Sequence, residues 1–446
     1  MTADLTAEAT ELLQTLIRNQ CVNDGAPESG FEVRSAELLR DYLEGGGLDV
    51  ETYESRPGRG SLVARIEGSD PEAPTLCLMG HTDVVPVSPD GWSRDPFGGE
   101  LVDGEVWGRG AIDMLNLTAT QAVMFKELAR SGFKPRGTLL YFAVADEEAG
   151  GTYGAKWMAE HHWDAIACDY LLTEMGGIPM PHSDGRRRVT LTVGEKGIAW
   201  RRLRIGGTPG HGSMPYGADS ALLKAAEVVR RLGEYRPKAR IDEVWERTVR
   251  AYELPDDLTE RLLDPARVWD AFADVGDPAR AKMFHACTHT TFSPNVIHGG
   301  VKTNVIPDTV DIDVDIRTVP GTTGDDVDAN LREALGELAD DVAITRIFDD
   351  EATTSPAGNP LWDSIERRAR DVYPEAELLP QLIVGATDSR YFRNKGVVAY
   401  GTGLYSPEVT FEQWASRFHG HDERIDVASL GLTLDLWRGV IDDLIA

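Results

Sequence analysis

Five short stretches of this chain carry side chains that could bind divalent metal ions and do hydrolytic chemistry with them. The apolar run TLCLM leads into Gly80-His81-Thr82-Asp83, LLYFAVA leads into Asp146-Glu147-Glu148, and CDYLLT leads into Glu174. Asp113 stands in GRGAIDM just ahead of a helical pattern, and His419 in FHGHDERI ahead of the last one. Imidazole and carboxylate donors without thiolates suit a hydrolytic zinc or manganese site. Asp83, two residues past His81, could hold that ring in one tautomer from behind. Each residue alone has a plainer explanation: a surface histidine, a solvated acidic turn, or, for Asp113, a helix N-cap. The combination is what points to a site.

Elements must bring these residues together. Up to about residue 193, helical patterns (Leu12 with Leu16; Glu32 to Leu43; Leu117, Val123 and Leu128) alternate with strand-like runs at 61–66, 75–79, 138–144 and 169–172. Such alternation predicts an α/β sheet covered by helices, whose strand ends gather ligands at one edge. Three separate strands then deliver His81, the Asp146–Glu148 run and Glu174 to that edge, with Asp113 and His419 closing on it.

The pattern changes after about residue 193. A strand at 200–205, a helix at 220–232, a strand within 303–318, a helix near 325–338 and a strand at 342–348 follow. In the 303–318 segment Val310, Ile312, Val314 and Ile316 alternate with acids, the mark of a half-buried antiparallel strand. The order is ferredoxin-like, an α+β arrangement. Between these elements, about 235–283 reads as an acidic helical insertion. Helices near 360–372 and 429–445 return to the first character. The expected domains are therefore 1–193 and 355–446 as one discontinuous catalytic domain, with 194–354 inserted as a lid or dimerisation domain.

Composition narrows the function class. A length of 446 residues predicts more than one domain, and a net charge of −29 disfavours nucleic acid and anionic membrane surfaces as partners. Four scattered cysteines without a C-x-x-C pair predict free thiols and a reducing, cytoplasmic setting. The N-terminus has no basic segment followed by an apolar one, so it reads as an amphipathic helix rather than a secretory signal. No apolar run approaches a membrane span.

The motifs HTDVVPV, GRGAIDM, ADEEAGG and HGHDER, in this order, resemble the co-catalytic zinc amidohydrolases of the aminoacylase, glutamate carboxypeptidase, carboxypeptidase S and succinyl-diaminopimelate desuccinylase type. The resemblance spans nearly the whole chain and implies a zinc-exopeptidase-like catalytic domain built on a mixed sheet. It implies two Zn2+ ions (Co2+ or Mn2+ being alternatives), with His81 on one, His419 on the other, Asp113 bridging, and Glu148 and Glu174 completing the set. It implies Glu147 as general base, acting on a water between ions about 3.5–4 Å apart. It also assigns His211, in GGTPGHGSMP, to the oxyanion, often from the neighbouring subunit, and Asn304, Arg317, Thr387 and Arg390 to the substrate. A homodimer joined through the inserted domain is implied as well.

Two departures stand out. Many family members have Met-Lys-Gly where this chain has Met114-Leu115-Asn116, and Pro where it has His421, a second imidazole beside His419. The expected activity is release of an amino acid from an N-acyl amino acid or small peptide with a free carboxylate. The alternatives are an aminopeptidase or dipeptidase, a desuccinylase-like deacylase, and a non-catalytic binding relative.

Overall fold

The computed structural model describes residues 2–44, 48, 50–88 and 90–446. It divides into two compact units: residues 1–193, 355–381 and 387–446, and residues 194–354 with 382–386.

The first unit is built on a mixed sheet. Part of it runs in the order Val50–Glu54, Gly60–Ile66, Leu139–Val144, Leu76–His81, Tyr170–Thr173 and Val398–Gly401. The last four are parallel, and the first two join antiparallel. Leu76–His81 and Leu139–Val144 are buried at every position, as expected for strands covered on both faces, which explains their unbroken apolar runs. One face packs Cys77, Met79, Leu140, Phe142 and Leu171 against Met158, Ile166 and Phe392. The other carries the helix Leu115–Arg130, buried from Leu115 through Lys126, with helices Thr2–Arg18 and Val427–Ile445 outside it. Even the indole N–H of buried Trp437 is satisfied there, donating to Thr120 Oγ1 at 3.1 Å. Burial of side chains this size is worth about 1.5–3 kcal/mol each, which is what holds a polar site rigid at the sheet's edge. Among the described residues no helix is long and apolar enough to cross a membrane.

The second unit has a four-stranded antiparallel sheet, ordered Thr291–Gly299, Thr309–Thr318, Gly197–Gly206 and Val342–Asp350. Helices Ala221–Glu234 and Gly324–Leu335 cover one face, with Val310, Ile312, Val314 and Ile316 beneath them. This is the ferredoxin-like order. The segment between has its own small helical core around Trp245, Val249, Leu262 and Phe284.

Candidate metal centre

The three parallel strands end level with one another. Val144 pairs with His81, and Leu172 with Leu78, so His81, Asp146 and Glu174 emerge together at the carboxyl edge. Asp113 arrives on a tight turn in which Gly110 has φ +90; a Cβ there would meet Leu115 and Val84 side chains at 2.5 and 2.7 Å. The turn is braced from outside. Buried Glu423 takes the backbone N–H groups of Ile112 and Asp113 on Oε1 at 2.8 and 3.2 Å, and Arg109 on Oε2 at 2.7 Å. Arg109 in turn donates to the carbonyl of His419 at 3.3 Å.

Asp113 faces two ways. Its Oδ1 lies 3.1 Å from His81 Nε2, which is 3.8 Å from Glu174 Oε2. Its Oδ2 lies 2.8 Å from His419 Nε2, which is 3.4 Å from Glu148 Oε2. His81, Asp113 and Glu174 therefore form one group of candidate ligands, and Asp113, Glu148 and His419 a second. Donors bound at about 2.0–2.2 Å around a tetrahedral ion stand roughly 3.3–3.5 Å apart, and these separations bracket that spacing. His81 Nδ1 is held from behind, 3.0 Å from the Asp83 carbonyl and 3.4 Å from its carboxylate. The Asp83 carboxylate also accepts from the N–H groups of Glu147 and Glu148, at 3.3 and 3.1 Å.

The charges at this edge are crowded. Burial, then the Asp113 charge, pushes the Glu174 carboxyl up to about 8 and Glu148 up to about 7. Burial and Glu174 push Glu147 well above the usual range. His419 is raised to about 10 by its bonds to Asp113 and Glu148, and His81, despite burial, is raised by Asp113, Asp83 and Glu174. Burial alone would raise Asp113, but its bonds to His419 and His81 hold it low. Carboxylates packed this closely must share protons or a cation. Glu148 Oε1 is buried with no hydrogen-bond partner, as a ligand atom would be. The donor set thus fits divalent ions.

A profile of the group described as Peptidase family M20/M25/M40 matches residues 77–443. The chain belongs to that family. It is 27% identical to an N-fatty-acyl-amino acid synthase/hydrolase of Xenopus tropicalis, over 86% of this chain and 75% of that relative. It is 26% identical to aminoacylase-1 of Sus scrofa, over 94% of this chain and 90% of the other. Among solved structures, an M20 family metallo-carboxypeptidase from Sulfolobus solfataricus has a similar fold, with TM-score 0.71 and 17% identity over 98% of this chain and 99% of that one. The chain is accordingly a metal-dependent amidohydrolase of the M20 family.

Glu147 is half-buried beside the cluster and belongs to neither ligand group. The imidazole beside His419 turns elsewhere: a Cβ on Gly91 would fall 2.8 Å from His421 Cε1. Asn116 is buried and donates to the Tyr405 hydroxyl at 3.3 Å, with Leu115 also buried where many members have Lys. Thr387 is buried, and its hydroxyl accepts from Ser389 N at 3.2 Å. Arg390 is buried and donates to Thr387 O at 3.1 Å and Gly150 O at 3.0 Å, so its guanidinium grips the chain just past Glu148.

Within the second unit, Gly210–His211 pairs with Val305–Ile306, and Gly212 N donates to Asn304 O at 2.8 Å, which makes His211 and Asn304 neighbours. The exposed His211 ring lies 2.7 Å from Ser213 Oγ. Arg317 is closed on Asp315 two residues back, at 2.8 Å.

Sequence reasoning passed over Arg109 and Glu423. The signal was there, in GRG and HDER, but only the bond across 314 positions gives it meaning.

Proposed function

We propose that the protein hydrolyses the amide bond of an N-acyl amino acid, or of a small peptide with a free carboxylate, releasing an amino acid. The observation that carries this reading is Asp113 presenting one oxygen to each ligand group. His81, Asp113 and Glu174 would hold one Zn2+ and Asp113, Glu148 and His419 the other, with Co2+ or Mn2+ able to use the same donors. When bound, such a pair supplies Lewis-acid polarisation of the scissile carbonyl and acidifies water.

Glu147, free of both groups, takes the proton of the attacking water and returns it to the leaving amine. Asp83 holds His81 in the tautomer that leaves Nε2 free as a donor. His211, by the family resemblance, helps hold the developing oxyanion, and Asn304 and Arg317 engage the substrate's backbone and carboxylate, Arg317 exchanging Asp315 for that carboxylate. Thr387 and Arg390, matched to the family's substrate loop, contribute to substrate binding as part of that loop. Relatives named N-fatty-acyl-amino acid synthase/hydrolase and aminoacylase-1 support the substrate class.

We further read the protein as a cytoplasmic homodimer joined through the second unit. That unit's edge strand Thr291–Gly299 exposes Val296 and Ile297, and its helix Ala221–Glu234 exposes Leu222 and Leu223. Light scattering at micromolar concentration should give twice the chain mass.

The zinc-loaded protein should turn over members of a panel of N-acyl amino acids and dipeptides. Preference for substrates with a free amino terminus would favour the aminopeptidase alternative. No turnover across the panel would reject the reading.

A further inference from the structure

Behind the Asp146–Glu148 turn lies a buried polar network built from the N-terminal segment, outside the span matched by the family profile. Its centre is Asn23, 2% exposed. Three donors settle which way its amide faces: Oδ1 accepts from Gly25 N at 3.1 Å, Ser29 Oγ at 3.2 Å and Arg59 Nη2 at 3.3 Å. Nδ2 therefore points the other way. There it donates to Asp83 Oδ2 at 2.8 Å and to Asp146 Oδ1 at 3.1 Å.

Those two carboxylates shape the turn that carries Glu147 and Glu148. Asp83 accepts the N–H groups of both glutamates. Asp146 opens the turn at φ +70, a left-handed conformation that a non-glycine residue keeps only when its surroundings enforce it. The enforcement is visible: Asp146 Oδ2 accepts from Tyr153 N at 2.7 Å, and Asp146 N donates to Glu32 Oε1 at 3.2 Å. Arg59 lies 2.6 Å from Glu32 and 3.3 Å from Asp146. One guanidinium thus serves Glu32 and Asp146, and Asn23 is the neutral link that lets Asp83 and Asp146 stand side by side. The other end of the turn is gripped separately, by Arg390 and Tyr391 on Gly150 O.

We propose that Asn23 is a positioning residue for Glu147 and Glu148. By donating to Asp83 and Asp146 at once, it fixes the direction in which the two glutamates leave the turn. The inference rests on the roles proposed above for those glutamates.

Asn23→Leu keeps the volume and removes both donors together with the Oδ1 acceptor. Asn23→Ser keeps a hydroxyl, which can donate to only one of the two carboxylates. Both variants and the parent would be loaded with Co2+, and read by the visible ligand-field spectrum and by steady-state kinetics on an N-acyl amino acid. In Asn23→Leu we expect kcat to fall tenfold or more with KM within about twofold, as for a group that acts on transition-state geometry. Its cobalt spectrum shifts while two ions per chain remain bound, and Asn23→Ser falls between variant and parent. A folded Asn23→Leu with the parent's kcat and spectrum would overturn the proposal, as would a change confined to KM. If Asn23→Leu does not fold, a folded Asn23→Ser with the parent's kcat and spectrum overturns it equally. Failure of the hydrolase reading looks different: the parent turns over no substrate, yet the spectra of parent and variant still differ.

Discussion

Glu423 offers the sharpest test of how the Asp113 turn is held. Its carboxylate is fully buried and accepts three bonds, from Ile112 N, Asp113 N and Arg109 Nη1. Glu423→Ala would strip two backbone N–H groups of their acceptor and leave a guanidinium, 4% exposed, with only the His419 carbonyl and the face of Trp92. Unpaired buried donors cost about 1–3 kcal/mol each, and removing half of a buried ion pair costs about 3–5 kcal/mol. The same atoms enter both figures, so the loss should be about 4 kcal/mol rather than their sum, a large share of an ordinary stability of about 5–15 kcal/mol. Glu423→Gln keeps an acceptor for the two N–H groups and should lose less. Arg109→Met combined with Glu423→Gln removes the stranded charge and should lose less than Glu423→Ala. Equilibrium urea unfolding of the metal-free proteins measures all three. If Glu423→Ala costs under about 1 kcal/mol, the bracing role is wrong.

Three further outcomes follow from the same geometry. Glu147→Gln should keep both metal ions and lose turnover by about 10²–10⁴-fold, measured by metal analysis beside kcat; full activity would reject Glu147 as the base. Gly401→Ala places a Cβ 1.7 Å from the Glu174 carbonyl oxygen, and should cost about 3 kcal/mol and weaken metal binding by the His81 group, seen in unfolding and metal titration. Although burial opposes it, Arg201 and Arg346 hold the Asp328 carboxyl below its usual value. A depressed acid stabilises above its unfolded pKa and loses that contribution as pH falls through the folded one. Asp328→Asn should therefore cost about 1–2 kcal/mol at pH 7 and progressively less below about pH 3.8, in urea midpoints taken at both ends.

Much of the candidate ligand set was legible because His81, Glu148 and Glu174 follow apolar runs and Asp113 precedes a helix, so a local pattern reveals where each must sit. The ferredoxin-like unit was legible for a related reason: the alternation of Val310, Ile312, Val314 and Ile316 records one buried face. What escaped depends on contacts distant in sequence. Arg109, Glu423, Asn23, Glu32 and Arg59 look like ordinary surface polar residues until folding buries them against one another. Strands Glu377–Ile383 and Val398–Gly401 also escaped, since the first contains a proline and the second is four residues long. His421 competes with His419 in the sequence because both lie in one short loop; it is His419 that lies beside Asp113 and Glu148.

Two ions sharing Asp113 are the centre of the proposed chemistry. Anomalous diffraction at the zinc edge from crystals of the zinc-loaded protein measures this most directly. It should show two peaks about 3.5 Å apart, one beside His81 and Glu174 and one beside Glu148 and His419, with Asp113 between. A single peak, or a second one at His421 rather than His419, would contradict it.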